Sequence, residues 1–177
     1  SKLIVANDAL YFGTSTGLYK LNKNTIALEA SYFTDSSQYI VYVKDVVNDG
    51  NGNLWLANTN TNDAAIYKFN MSSEAITTFQ LAKNTTANYS FDNLDIDDNG
   101  TVWATAGNLS GFVELIPTEN NPTWTVRSMT DIDDLGFHMT YSPSVVAKFK
   151  NKIYILVTNN GYSQDIANYE AIVNDNG

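Results

Sequence analysis

Two stretches decide the fold: Asp49-Gly50-Asn51-Gly52-Asn53-Leu54-Trp55-Leu56-Ala57 and, 48 residues on, Asp97-Asp98-Asn99-Gly100-Thr101-Val102-Trp103-Ala104. Each reads as an acidic residue, an Asn-Gly pair and a short apolar strand with Trp at its centre. Asn and Gly tolerate positive φ, so each pair predicts a tight hairpin turn joining one strand to the next. A variant precedes them at Asp8 to Thr14 (DALYFGT), and another follows at Lys150 to Val157 (KNKIYILV). With Leu10, Leu54, Val102 and Ile153 taken as equivalent, the spacings are 44, 48 and 51 residues. Periods of roughly 20 to 50 residues mark solenoids and propellers.

Working outward, each apolar strand is followed by another: GLYKLN at 17–22, AIYKFN at 65–70 and GFVELI at 111–116. Alternating segments precede the turns, ending at Val46, at Ile96 and at Phe149. Segments rich in β-branched and aromatic residues follow the second strands, at Ile26 to Phe33, Glu74 to Leu81 and Trp124 to Met129. The expectation is an all-β chain of about four units, each a four-stranded antiparallel sheet, spanning roughly 1–34, 39–81, 90–130 and 141–177 of a single partial β-propeller. Trp55, Trp103, Tyr11 and Tyr154 recur at one position, where an aromatic packs one twisted sheet face to face against the next. Residues 172–177 repeat the pattern of 96–100, and residues 1–7 read as one strand of a partial unit. Propellers close with roughly four to eight blades, so the expectation is a fragment of a larger ring, with uncovered blade faces that self-associate or pack against the rest of the propeller.

Composition narrows the function classes. The 177 residues are 44% hydrophobic, enough for a packed core, and only 16% charged, below the roughly 25% of an average domain. Asn, Thr and Ser supply a largely neutral hydrogen-bonding surface. A net charge of −9 repels phosphate backbones and anionic lipid, so nucleic acid is not an expected partner. Cysteine is absent, so packing carries the fold without disulfides. No apolar run approaches the roughly 18 residues of a membrane span, so no membrane insertion is expected within this chain.

The quoted residues resemble the two-component regulator propeller repeat. The matches are Asp49, Gly52, Leu54, Trp55 and Leu56; Asp98, Gly100, Val102, Trp103 and Thr105; and Gly13, Thr14, Gly17, Leu18, Tyr19 and Lys20. Lys150 to Leu156 depart from it in lacking the Gly and Trp. The resemblance implies a periplasmic or extracellular bacterial propeller, such as the sensor half of a hybrid histidine kinase, with an oligosaccharide or a protein as its ligand. It also fits a structural or assembly propeller of a surface or secretion-system protein; a propeller lyase or lactonase is a further alternative. Non-enzymatic ligand sensing is the favoured expectation, with no cofactor.

Individual motifs carry weaker signals. Asp95, Asp97 and Asn99 before Gly100 imitate the start of a calcium loop, but the twelfth position, which needs a bidentate carboxylate, is Ala106. A strand end entering a hairpin is the competing reading, and a solvated acidic loop is the corresponding reading for Asp131, Asp133 and Asp134. His138 is the only histidine, which rules out a multi-histidine metal site within the chain. Ser142 and Ser144 lie near it without a nucleophile-elbow frame, and no catalytic residue is assigned. Trp124, Phe137, His138 and Tyr141 stand outside the repeat and are candidates for ligand binding, since exposed aromatics provide sugar platforms; core packing is the alternative for them.

Overall fold

Alternating β-branched and aromatic residues place one face of each segment against its neighbours, and this pattern commits the repeats to strands. The computed structural model describes residues 2–34, 42–59, 65–81, 90–106, 111–118, 120–128, 141–150, 152–159 and 167–169. Sheet 1 is β1 (Leu3–Ala6), β2 (Ala9–Thr14), β3 (Gly17–Asn22) and β4 (Leu28–Tyr32). Sheet 2 is β5 (Val43–Asn48), β6 (Asn53–Asn58), β7 (Ala65–Asn70) and β8 (Ile76–Gln80). Sheet 3 is β9 (Phe91–Ile96), β10 (Val102–Ala106), β11 (Gly111–Ile116) and β12 (Thr123–Ser128). Each is an antiparallel meander in sequence order, and sheet 4 has three strands among the described residues, β13 (Tyr141–Phe149), β14 (Lys152–Asn159) and β15 (Ala167–Tyr169). Residues 172–177, where the sequence suggests a further hairpin, lie outside the described residues. Every described element is a strand or turn, and no helix is long and apolar enough to cross a membrane.

Register makes the repeat explicit. Trp55 pairs across to Val47 and Lys68, Trp103 to Asp95 and Glu114, Tyr11 to Ile4 and Lys20, and Tyr154 to Ala147. The four aromatics therefore occupy one position of the second strand. First strands β1, β5, β9 and β13 lie successively against one another, so the sheets radiate from a shared inner edge.

Two apolar layers fill the gaps. Between sheets 1 and 2, Tyr11 and Leu18 pack against Val46, Leu54, Leu56, Tyr67 and Phe69. Between sheets 2 and 3, Trp55, Ile66 and Phe79 pack against Leu94, Val102, Val113 and Leu115. Sheet 2 is thus buried on both faces, which is why every residue of β6 is buried although its sequence does not alternate cleanly.

The turns depart from the two-residue hairpins that Asn-Gly predicts. Between β5 and β6 the positive φ values fall on Gly50 and Gly52, and between β9 and β10 on Gly100; the connections run through Asp49–Gly52 and Asp97–Thr101. Aspartate, more than Asn-Gly chemistry, organises them, as described below. The tight turn occurs instead at Asn7-Asp8, with φ of 48° and 61°. The outer strands β4 and β8 start two residues later than the sequence suggests. Asn22 and Asn70 each accept two backbone N–H bonds through Oδ1, winding a turn that leaves Ile26 and Glu74 at positive φ.

Side chains on the inner strands tie one sheet to the next. Asp45 Oδ2 accepts the Leu94 backbone N–H at 3.1 Å and the Asn93 amide at 2.5 Å. Asn93, at the same register position in sheet 3, accepts the Val146 N–H of sheet 4 through Oδ1 at 2.6 Å. Burial pushes the Asp45 carboxyl up, opposed by N–H bonds from Leu94 and Val46 and by the charge of Lys2.

Two outcomes follow. A Cβ on Gly13 would lie 2.2 Å from Val43 Cγ1 and 2.8 Å from its carbonyl oxygen, so Gly13→Ala should force sheets 1 and 2 apart. Urea titration should show a loss of about 1–3 kcal/mol. Asp45→Ala, which orphans the Leu94 N–H, should cost a further about 1–3 kcal/mol, whereas Asp45→Asn supplies the acceptor that sheet 3 already uses. Because the folded-state pKa of Asp45 is raised, the folded protein holds the extra proton between the unfolded and folded values, and stability falls as pH rises through that window. Denaturant titrations from pH 3.5 to 7 should show Asp45→Asn abolishing this contribution.

Candidate functional site

The hairpins of sheets 2 and 3 stand side by side at one end of the molecule and bound a cleft of about 590 Å³. Asn48, Asp49, Asn51, Trp55 and Lys68 line it from sheet 2; Asp95, Asp97, Asp98 and Asn99 line it from sheet 3, and Lys148 reaches in from sheet 4. The volume suits a small ligand.

One carboxylate builds each hairpin. Asp49 Oδ1 accepts the backbone N–H groups of Asn51 at 2.7 Å and Asn53 at 3.1 Å, and Oδ2 accepts the Asn53 amide at 2.8 Å and the Trp55 indole N–H at 3.3 Å. Asp97 repeats this with the N–H groups of Asn99 and Thr101, both at 2.9 Å, and the Trp103 indole at 3.0 Å. The acidic residue and the Trp six positions later form one unit, which closes the turn and fixes the indole rotamer. Burial pushes the Asp49 carboxyl up, but the bonds from the Asn53 side chain, the two backbone N–H groups and Trp55 together outweigh it and hold the group below the usual carboxylate range.

The cations take defined positions. Lys68 Nζ sits 5.6 Å from the Trp55 ring centroid. Lys148 pairs with Asp98, and its backbone N–H donates to Asp95 Oδ2 at 2.7 Å, a third tie between sheets. Lysines at these positions were not singled out by the sequence; the signal available was the register that sets Lys68 opposite Trp55.

The structure brings Asp95, Asp97 and Asn99 to one wall of the cleft, with the carboxylates of Asp95 and Asp97 turned to N–H donors, and among the described residues no group of three or more His, Cys, Asp and Glu converges. Trp124 lies elsewhere, on β12, stacked on Phe91 with centroids 5.8 Å apart at 15° and packed against the core between sheets 2 and 3. Its indole nitrogen is buried without a partner among the described residues. Tyr141 begins β13 opposite Asn159, and Ser142 and Ser144 follow on the same strand. Phe137, His138, Asp131, Asp133 and Asp134 lie outside the described residues.

No family profile and no curated protein matches the chain. Solved structures do. The extracellular domain of the candidate hybrid two-component system BT4673 from B. thetaiotaomicron superposes with a TM-score of 0.63 at 18% identity, over 86% of this chain and 19% of that one. A catalytically inactive virginiamycin B lyase from Staphylococcus aureus, determined with quinupristin, gives 0.66 at 11% identity over 95% and 54%. YCF48 from Cyanidioschyzon merolae gives 0.57 at 13% over 96% and 58%. These sheets are β-propeller blades. At such identities the likeness shows the propeller fold alone, and the regulator-repeat resemblance of the Trp motif stands at that coarser level. The chain spans about a fifth of the BT4673 domain and about half of the lyase.

Removing the turn carboxylate should reveal its contribution. With its folded-state pKa lowered, Asp49 adds stability that is fully present above its unfolded value near 4 and is lost as pH falls through the folded value. Asp49→Ala should cost about 1–3 kcal/mol at pH 7. It should also quench Trp55 ordering in the near-ultraviolet circular dichroism, and the deficit against wild type should shrink toward pH 2.

Proposed function

We propose that the chain is part of a non-enzymatic recognition propeller in an exported or periplasmic signalling protein, with a hydroxyl-rich, glycan-related ligand. The observation that carries this reading is the commitment of the two repeated carboxylates in the cleft. Asp49 and Asp97 each accept several N–H bonds that hold a turn in place, which suits a scaffold and not proton transfer to a substrate. The cleft is also lined by Asn, Asp and Lys groups, donors and acceptors suited to hydroxyl ligands, beside the apolar surfaces of Trp55, Ile116 and Pro117. Rigidity matters because ordering costs are met on folding and are not charged to binding. The likeness to the BT4673 extracellular domain supports a location outside the cytoplasm. The net charge of −9 argues against polyanionic partners.

A second reading, a structural or assembly propeller of the cell surface or a secretion system, is favoured by the apolar outward face of sheet 1. The likeness to a lyase supports a third reading as an enzyme, at the level of fold only.

Calorimetric titration with neutral and acidic oligosaccharides should give saturable binding for at least one class. Lys68→Ala and Lys148→Ala should each weaken it about tenfold, close to 1.4 kcal/mol. No heat across the panel, or affinity indifferent to both substitutions, overturns the reading.

A further inference from the structure

Three residue pairs in the two cleft hairpins have the chemistry of a spontaneous backbone rearrangement: Asp49-Gly50, Asn51-Gly52 and Asn99-Gly100. In such a pair the glycine nitrogen can attack the side-chain carbonyl carbon of the residue before it, because glycine has no Cβ to obstruct the approach. The folded chain resists this where that N–H is already engaged, since the hydrogen bond must first be given up.

The two Asn-Gly turns form a matched pair. Gly52 and Gly100 have nearly the same backbone, with φ of 87° and 83°, and a Cβ at either would meet no atom within 4 Å, so room and conformation do not separate them. Their nitrogens do. Gly100 N–H donates to the Asp97 carbonyl oxygen at 3.1 Å, and Gly50 N–H donates to Asn48 Oδ1 at 2.9 Å. The Asp49 side chain is also occupied, by the four donors described above. Gly52 N–H has no acceptor among the described residues, and the exposed Asn51 side chain has no partner there either.

We propose that Asn51 is a site of self-modification. The Gly52 nitrogen bonds to Asn51 Cγ, the Cγ–Nδ2 bond breaks, and the amide leaves as ammonia with the proton that Gly52 gives up, so that a cyclic imide remains. Water then opens the ring at either carbonyl, giving aspartate or isoaspartate. Both products alter the cleft that Asn51 lines. Aspartate adds a negative charge in the same turn as Asp49. Isoaspartate also inserts a methylene into the backbone between the N–H groups of residues 51 and 53, which Asp49 Oδ1 holds at 2.7 Å and 3.1 Å, and so disrupts the frame of Trp55.

The protein should be aged at neutral pH, digested and read by mass spectrometry, with isoaspartate located by enzymatic carboxyl methylation. Asn51 should convert about tenfold faster than Asn99, the factor that one retained hydrogen bond is worth. In urea, where neither turn persists, the two rates should converge. The near-ultraviolet circular dichroism should fade in step with isoaspartate. Asn51→Gln should keep its spectrum through the same ageing, and Asn51→Asp, which retains the backbone N–H, should start from the wild-type spectrum. An Asn51 that stays intact in the folded protein while converting in urea, equal rates at Asn51 and Asn99 in the folded protein, or a spectrum lost equally in Asn51→Gln overturns the inference.

Discussion

The buried N–H groups of the inner strands impose the constraint on which the rest depends. A first strand pairs on one side only, and where sheets converge its remaining backbone donors lie away from water, where an unpaired group is costly. Asp45, Asn93 and Asp95 answer this by accepting the N–H groups of Leu94, Val146 and Lys148 on the following sheet. Each bond satisfies an edge and sets the spacing to the next sheet. The carboxylate at position 45 carries a desolvation cost that Asn at position 93 avoids, and its pKa rises for that reason.

With that spacing fixed, the two faces of a sheet diverge in chemistry. One face carries the apolar row and the other the aromatic of the second strand, so each interface pairs unlike surfaces. A stack built this way has direction. It also explains why Trp55 is 3% exposed although its indole edge must reach a polar partner: the ring is buried by the next sheet while its N–H meets Asp49 at the rim.

Local signals were legible where the interaction itself is local. The repeat spacing, the strand order and the recurrent aromatic could all be read from the chain, because hairpin connections keep paired strands adjacent in sequence. Asn51-Gly52 and Asn99-Gly100 correctly marked turns but suggested the wrong type, since the competing influence is a carboxylate two positions before each Asn that captures backbone N–H groups. The calcium-like spacing of Asp95, Asp97 and Asn99 has the same origin: alternate strand residues face one side, and a hairpin aspartate follows. The role of Asp45 could not be read at all, because its partner lies 49 residues away across an interface. Lys148 was hidden likewise, entering a cleft built by two other sheets.

The cleft inherits its character from these constraints. Asp49 and Asp97 are fixed by four and three N–H donors, so each hairpin wall is held by hydrogen bonds of its own. Variation is then left to the groups the turns do not need: Lys68 opposite Trp55 is Glu114 opposite Trp103 in the next sheet, a reversal of charge at one register position with the backbone unchanged. A repeat that conserves its turn chemistry while exchanging such positions can present different polar surfaces in each inter-sheet cleft. The third-strand residue facing each aromatic is therefore the position at which neighbouring clefts differ in charge, and the aspartate-tryptophan unit is the frame beside it.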